Sequence, residues 1–255
     1  MKVAIIQSAL VWENPQANRE NFEEKINSIE GAVNLIVLPE MFTSGFTMNP
    51  AATAETMTGE TVVWMQTLAK ANNCAITGSV VIEEEGAFYN RLLFVFPSGE
   101  LQQYNKRHLF TLAGEEKQYA KGGEKLIVNY MGWRIAPLIC YDLRFPVFSR
   151  NNNDYDLLLY VANWPSKRLH AWNSLLAARA IENMSYTIGV NRIGLDGNNH
   201  DYSGQSQVLD ALGYTVANAA AQETVIIVDL DKKALDDARQ RFNFLNDRDT
   251  FTITH

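Results

Sequence analysis

Two strand-length apolar runs, VAIIQSA (3–9) and NLIVLPE (34–40), flank a segment in which Phe22, Ile26 and Ile29 recur at helical spacing. That order constrains the fold more than any other feature of the chain. Short runs rich in branched residues suit strands, and Pro39 closes the second one. The spacing between them predicts a helix over 16–30, giving a strand–helix–strand opening. A second helix is predicted over 60–72, capped by Thr58, with Val62, Met65, Leu68 and Ala69 along one stripe. The pattern then changes. Residues 74–106 read as strands joined by turns at Glu-Glu-Gly and Pro-Ser-Gly-Glu, and 125–140 as a hairpin turning at Met131–Gly132. A strand at 155–163 leads into a helix over 168–184 that aligns Trp172, Leu175, Leu176, Ala180 and Met184. Further strands are expected near 186–191, 205–210 and 223–229. Helices alternating with strands, and hairpins among them, imply an α/β fold: a mixed sheet or a pair of sheets covered by helices. No repeat or Pro/Gly/Ser-rich linker interrupts the chain, so one domain over 1–255 is expected.

Composition narrows the function classes. The 255 residues are 47% hydrophobic and 20% charged, which supports a packed core and argues against disorder. A net charge of −7 gives no electrostatic footprint for nucleic acid or an anionic membrane. Two cysteines, Cys74 and Cys140, build neither a disulfide framework nor a CxxC metal site, so a reduced, cytoplasmic protein is expected. The N-terminus turns polar too soon for a signal peptide, and no apolar run reaches membrane-spanning length.

Polar residues at the ends of apolar strands are informative, because an α/β sheet presents its working groups there. Glu40 ends LIVLPEMF, Lys106 follows a strand in YNKRHLF, and Cys140 ends PLIC before an abrupt switch to Tyr141, Asp142 and Arg144. If the three meet, acyl transfer becomes possible. The ammonium would lower the thiol pKa, and the carboxylate would take the thiol proton and return it to a leaving amine. Lys106 and a backbone N–H would hold the oxyanion, each such donor being worth roughly 3–4 kcal/mol of barrier. Taken singly, each residue has a plainer reading. Glu40 alone fits a loop or capping carboxylate, Lys106 a solvated lysine in a polar cluster, and Cys140 core filler. Cys74 starts an apolar strand with nothing reactive nearby and reads as core. A Cys–His pair would need His108, His170 or His200 beside Cys140, and no papain-type sequence surrounds the cysteine. HExxH, GxSxG and phosphate-loop patterns are missing, so neither a metal nor a nucleotide cofactor is indicated.

The three segments, in this order, resemble the nitrilase, or carbon–nitrogen hydrolase, superfamily. ANWPSKR, AWNSLLAARAIEN, GVNRIGLDG and YSGQSQVLDALG extend the resemblance over about residues 3–230. It implies an α-β-β-α sandwich that dimerises through its helical faces and needs no cofactor. It also implies Glu40 as general base and acid, Cys140 as nucleophile and Lys106 as the oxyanion-stabilising cation. A second glutamate shortly after the lysine is part of the family pattern. Glu115, following Gly114, fits better than Glu116. Tyr141 would offer its backbone N–H to the oxyanion.

Within the superfamily, LPEMFTSGFTM, NWPSKR and ARAIEN look most like the ω-amidase branch. Such enzymes act on 2-oxoglutaramate and 2-oxosuccinamate, small amides whose far end is a carboxylate. Arg144, Lys167 and Arg168 are the candidate cations for that end, although Arg144 could instead pair with Asp142. Phe42, Phe46 and Trp164 are candidate pocket walls. Arg179 and Glu182 are spaced for a structural i,i+3 pair. Other readings remain open: a nitrile, a carbamoyl amine or deaminated glutathione as substrate, a non-catalytic binding module, or a glycosidase using Glu40 and Glu115.

Overall fold

The computed structural model describes residues 1–152 and 154–253. The first half of the chain runs β1 (Lys2–Gln7), α1 (Pro15–Asn27), β2 (Leu35–Val37), α2 (Glu60–Ala71), β3 (Ala75–Glu84), β4 (Ala87–Val95) and β5 (Leu101–Asn105). The second half opens with β6 (Val128–Tyr130), β7 (Trp133–Ile139), a single helical turn α3 (Pro146–Ser149), β8 (Leu157–Val161), α4 (Leu169–Asn183) and β9 (Tyr186–Val190). It continues through β10 (Ile193–Leu195), β11 (Asp201–Ser203), β12 (Gln207–Leu209), β13 (Thr215–Asn218), β14 (Thr224–Asp229) and α5 (Lys232–Phe242).

Two six-stranded sheets result, ordered β14-β1-β2-β3-β4-β5 and β13-β12-β9-β8-β7-β6. Each has a parallel trio at its centre, β1-β2-β3 in one and β7-β8-β9 in the other, with antiparallel strands outside it. Parallel neighbours need a crossover; α1, α2 and α4 supply three of the four, and the segment containing α3 carries β7 to β8. The inner faces of both sheets share one core, in which Val3, Ile5, Val37 and Phe94 meet Ile135, Leu157, Leu159 and Ile188. On the outside of the first sheet, Phe22 and Ile26 of α1 and Val62 and Met65 of α2 pack on Ala4, Ile6, Ile36 and Ile76. Trp172, Leu176 and Ala180 of α4 are buried over the second sheet. The layers are therefore α-β-β-α.

Most expected elements form, and their edges are set by local chemistry. α1 stops at Asn27, so Ile29 packs against the core from beyond the helix. Thr58 is not the cap of α2. Gly59 occupies that position, and the Glu55 carboxylate accepts the Thr61 N–H at 2.6 Å instead. Met184 lies past the end of α4 in the left-handed region, at φ 45°. The hairpin β10–β11, strand β13 and helix α5 have no counterpart in the sequence reading. The strands are short, and although Ala234, Leu235, Ala238 and Phe242 of α5 recur at helical spacing, the helix is largely charged and buries only Leu235.

Gly189 of β9 shows how closely α4 sits. A Cβ there would lie 2.5 Å from Leu176 Cδ1 and 2.7 Å from Trp172 Cζ2. Gly189→Ala should therefore lower stability by about 1–3 kcal/mol through overpacking, measurable by urea or thermal denaturation.

Candidate active site

β2 and β5 of the first sheet, and β7 and β8 of the second, end at the same edge of the sandwich. The chain brings Glu40, Lys106, Cys140 and Asn163 to that edge, each just past the end of its strand. Glu40 is fully buried. Its Oε1 accepts from Lys106 Nζ at 2.9 Å and from Asn90 Nδ2 at 2.8 Å, and its Oε2 accepts the Asn163 backbone N–H at 2.8 Å. Asn163 Nδ2 donates back to the Glu40 carbonyl at 2.6 Å, so the two sheets are tied through this one residue.

Lys106 is 1% exposed, which excludes the solvated-lysine reading. Its ammonium also lies 2.9 Å from both oxygens of Glu115 and 5.1 Å from the centre of the Phe46 ring. Glu115 reaches this position because Gly114 adopts φ 73°, turning the chain so that the next side chain points inward. Its Oε2 accepts the Phe110 N–H at 2.6 Å. Glu116 is exposed, so only Glu115 of the two glutamates joins the cluster.

Cys140 begins a tight turn, Cys140–Arg144, and has φ 42°, a value rarely adopted by residues with a Cβ. Its thiol donates to the Asn163 carbonyl oxygen at 3.8 Å and lies close enough to the Glu40 carboxylate to feel its charge. No hydrogen bond joins it to a histidine among the described residues. His108 Nδ1 instead lies 2.7 Å from Asp142 Oδ1.

The electrostatics follow from burial and the order of charges. Burial alone would lower the Lys106 pKa, but Glu115, Glu40 and Cys140 outweigh it and hold the ammonium charged well above the usual lysine range. Burial, with Glu40 as a like charge, pushes the Glu115 carboxyl up against the opposing pull of Lys106. Burial and then Glu40 also raise the Cys140 thiol well above its ordinary value, and Lys106 offsets this only in part. The ammonium does lower the thiol pKa as expected, but burial and Glu40 outweigh it, so at rest Cys140 is a neutral thiol. Burial alone pushes Cys74 up to about 11, and Cys74 touches none of these groups.

A cavity of about 520 Å³ opens above the thiol. Phe46, Tyr141, Arg144, Trp164, Lys167 and Arg168 line it, all expected from the sequence. Phe42 does not. It is buried on the helical side of the first sheet against Phe22 and Trp64, because it lies two residues beyond Glu40 on a chain already turning away. Arg144 does not pair with Asp142; its guanidinium sits 4.9 Å from the centre of the Trp164 ring. Arg168 lies at the same distance over Phe110. Neither has a carboxylate within ion-pair distance among the described residues. Arg179 and Glu182 do form their i,i+3 pair, at 2.9 Å.

Three contributors were not foreseen. Asn90 is a polar residue inside the apolar strand AFYNRLLFV, a signal the sequence does carry. Asn163 sits in NWPSKR without a local cue. The third is the loop between β10 and β11, where Asp196 and His200 line the far wall and Asp196 accepts from the Tyr202 hydroxyl at 3.0 Å.

Two helix-backed sheets that place a glutamate, a lysine and a cysteine at one shared edge define a class of enzyme. The chain belongs to the carbon–nitrogen hydrolase family, whose pattern matches residues 2–240. It is 46% identical to "Omega-amidase YafV" of Escherichia coli K12 over 99% of this chain and 98% of that protein. It is 28% identical to "2-oxoglutaramate amidase" of Bacillus subtilis over 96% of each. XC1258 of Xanthomonas campestris, a CN-hydrolase superfamily protein solved with an arsenic adduct in its active site, superposes with a TM-score of 0.98. That protein is 44% identical, with 100% of this chain and 99% of the other covered.

Removing the charge of Glu40 should bring the Cys140 thiol pKa down, since a raising charge goes while Lys106 remains. In Glu40→Gln, thiolate absorbance should therefore appear at lower pH than in wild type while amide hydrolysis is lost. An unchanged thiol titration would contradict this electrostatic account.

Proposed function

We propose that this enzyme hydrolyses the terminal amide of small 2-oxo acid monoamides, 2-oxoglutaramate and 2-oxosuccinamate, to the dicarboxylate and ammonia. The observation that carries the reading is the cavity itself: the Cys140 thiol and Lys106 at its floor, and two guanidiniums on its walls with no carboxylate at ion-pair distance among the described residues. A substrate with an amide at one end and a carboxylate at the other matches both. The relatives named omega-amidase in Escherichia coli and 2-oxoglutaramate amidase in Bacillus subtilis support an amide of this kind, 2-oxoglutaramate first.

In this reading Glu40 takes the Cys140 proton as the sulfur attacks the amide carbon. The oxyanion is held by the Lys106 ammonium and the Tyr141 backbone N–H. The intermediate collapses with cleavage of the C–N bond, and Glu40 passes its proton to the departing ammonia. Glu40 then deprotonates water, which attacks the thioester carbonyl. Collapse of this second intermediate breaks the C–S bond, releases the acid, and returns the proton to sulfur. Glu115 keeps Lys106 aimed throughout and needs no proton of its own. No cofactor or metal enters the scheme.

The same reading treats 1–255 as one carbon–nitrogen hydrolase domain, supported by the shared core of the two sheets and the span of the family match. It includes a homodimer formed through the helical face. Ile181 of α4 is exposed there, and the adjoining turn carries exposed Leu212 and Tyr214. A cytoplasmic location is proposed on the two free cysteines. No helix among the described residues is long and apolar enough to cross a membrane.

Ammonia release from 2-oxoglutaramate is the test, with glutamine as the control. Wild type should act on the oxo acid and ignore glutamine, and Cys140→Ala should lose at least about 10³-fold in kcat. Retained activity in that variant would remove the nucleophile assignment. Arg144→Met should raise KM about 10- to 100-fold with little change in kcat, as expected for a lost charge-assisted contact to the remote carboxylate.

A further inference from the structure

We propose that Asp142 is a positioning residue that holds Cys140 in its reactive posture, and that Tyr104 and His108 hold Asp142. The carboxylate is fully buried and faces no lysine or arginine at ion-pair distance among the described residues. Such a group persists only when hydrogen bonds replace its lost hydration. Asp142 has four donors. Oδ2 accepts from the Tyr104 hydroxyl at 2.7 Å and the Ile139 N–H at 3.0 Å. Oδ1 accepts the His108 N–H at 3.1 Å and faces His108 Nδ1 at 2.7 Å.

The placement of those donors gives the carboxylate its purpose. Ile139 is the residue immediately before the nucleophile, and Cys140 must hold φ 42°, a conformation that surrounding contacts have to impose. Tyr104 and His108 lie two residues either side of Lys106. One carboxylate thus grips the chain beside the thiol and the chain on both sides of the ammonium. It sets the spacing between the two groups that must meet at the oxyanion. The clamp is itself stiff: the His108 ring stacks on Phe145 with centroids 3.7 Å apart and planes 5° from parallel, and its edge meets Phe148. This role rests on Cys140 being the nucleophile, but not on the identity of the amide.

Asp142→Asn keeps the shape and loses acceptor capacity, so it tests the clamp. Three quantities decide: the iodoacetamide alkylation rate of Cys140 followed by mass spectrometry, kcat, and KM for 2-oxoglutaramate. We expect alkylation and kcat to fall together by about ten- to a hundred-fold, the cost of a misplaced reacting atom, with KM unchanged and the fold intact by circular dichroism. Tyr104→Phe, which removes one hydroxyl, should give a smaller loss of the same kind and decides the matter if Asp142→Asn does not fold. A folded variant with wild-type alkylation and kcat, or a loss confined to KM, overturns the proposal. If slow alkylation is seen but even wild type ignores 2-oxoglutaramate, the substrate reading fails and the positioning role stands.

Discussion

A lysine ammonium enclosed by two carboxylates, with almost no contact with water, is the interaction on which the rest of the structure depends. Removing three charges from solvent carries a large desolvation cost, returned only if the geometry is tight and the remaining lone pairs are filled. Here they are. Glu40 also receives Asn90 and the Asn163 backbone, and Glu115 receives the Phe110 N–H. The donors come from both sheets, so the sandwich must close in one relative position for the cluster to be satisfied. Packing of branched residues between the sheets supplies the driving force, and the polar cluster supplies the register.

This arrangement carries one negative charge more than positive before the thiol is considered. A thiolate would add a second, in a site where burial already penalises it. The resting Cys140 thiol is therefore neutral, and in the proposed reaction Glu40 would have to accept its proton. Lys106 offsets only part of that penalty at rest, and in the proposed reaction its ammonium would meet the charge that develops on the substrate. Preorganised charge of this sort acts without reorganising at the moment of reaction.

The cavity walls divide the labour differently. Arg144 and Arg168 are held over Trp164 and Phe110 rather than by carboxylates. The ring faces hold the guanidiniums, and among the described residues no carboxylate at ion-pair distance neutralises them. The β10–β11 loop closes the far wall through Asp196, which gathers the Asn198 and His200 N–H groups and the Tyr202 hydroxyl. That carboxylate is spent within the loop.

By itself the sequence determined the strands and helices whose apolar residues repeat with a clear period, and the three strand ends that carry Glu40, Lys106 and Cys140. Period and strand termination are local properties, read from neighbours along the chain. The preference for Glu115 over Glu116 came from the family resemblance, and the turn at Gly114 is what aims Glu115 inward. The tertiary structure decided everything that depends on two segments meeting. Phe42 proved to be core because the outward turn after Glu40 is set by packing on α1 and α2. Asn163 became the link between the sheets only because β8 ends opposite β2. The thiol pKa moved up rather than down because burial and a carboxylate outweigh a nearby cation, a balance that no spacing in the sequence encodes.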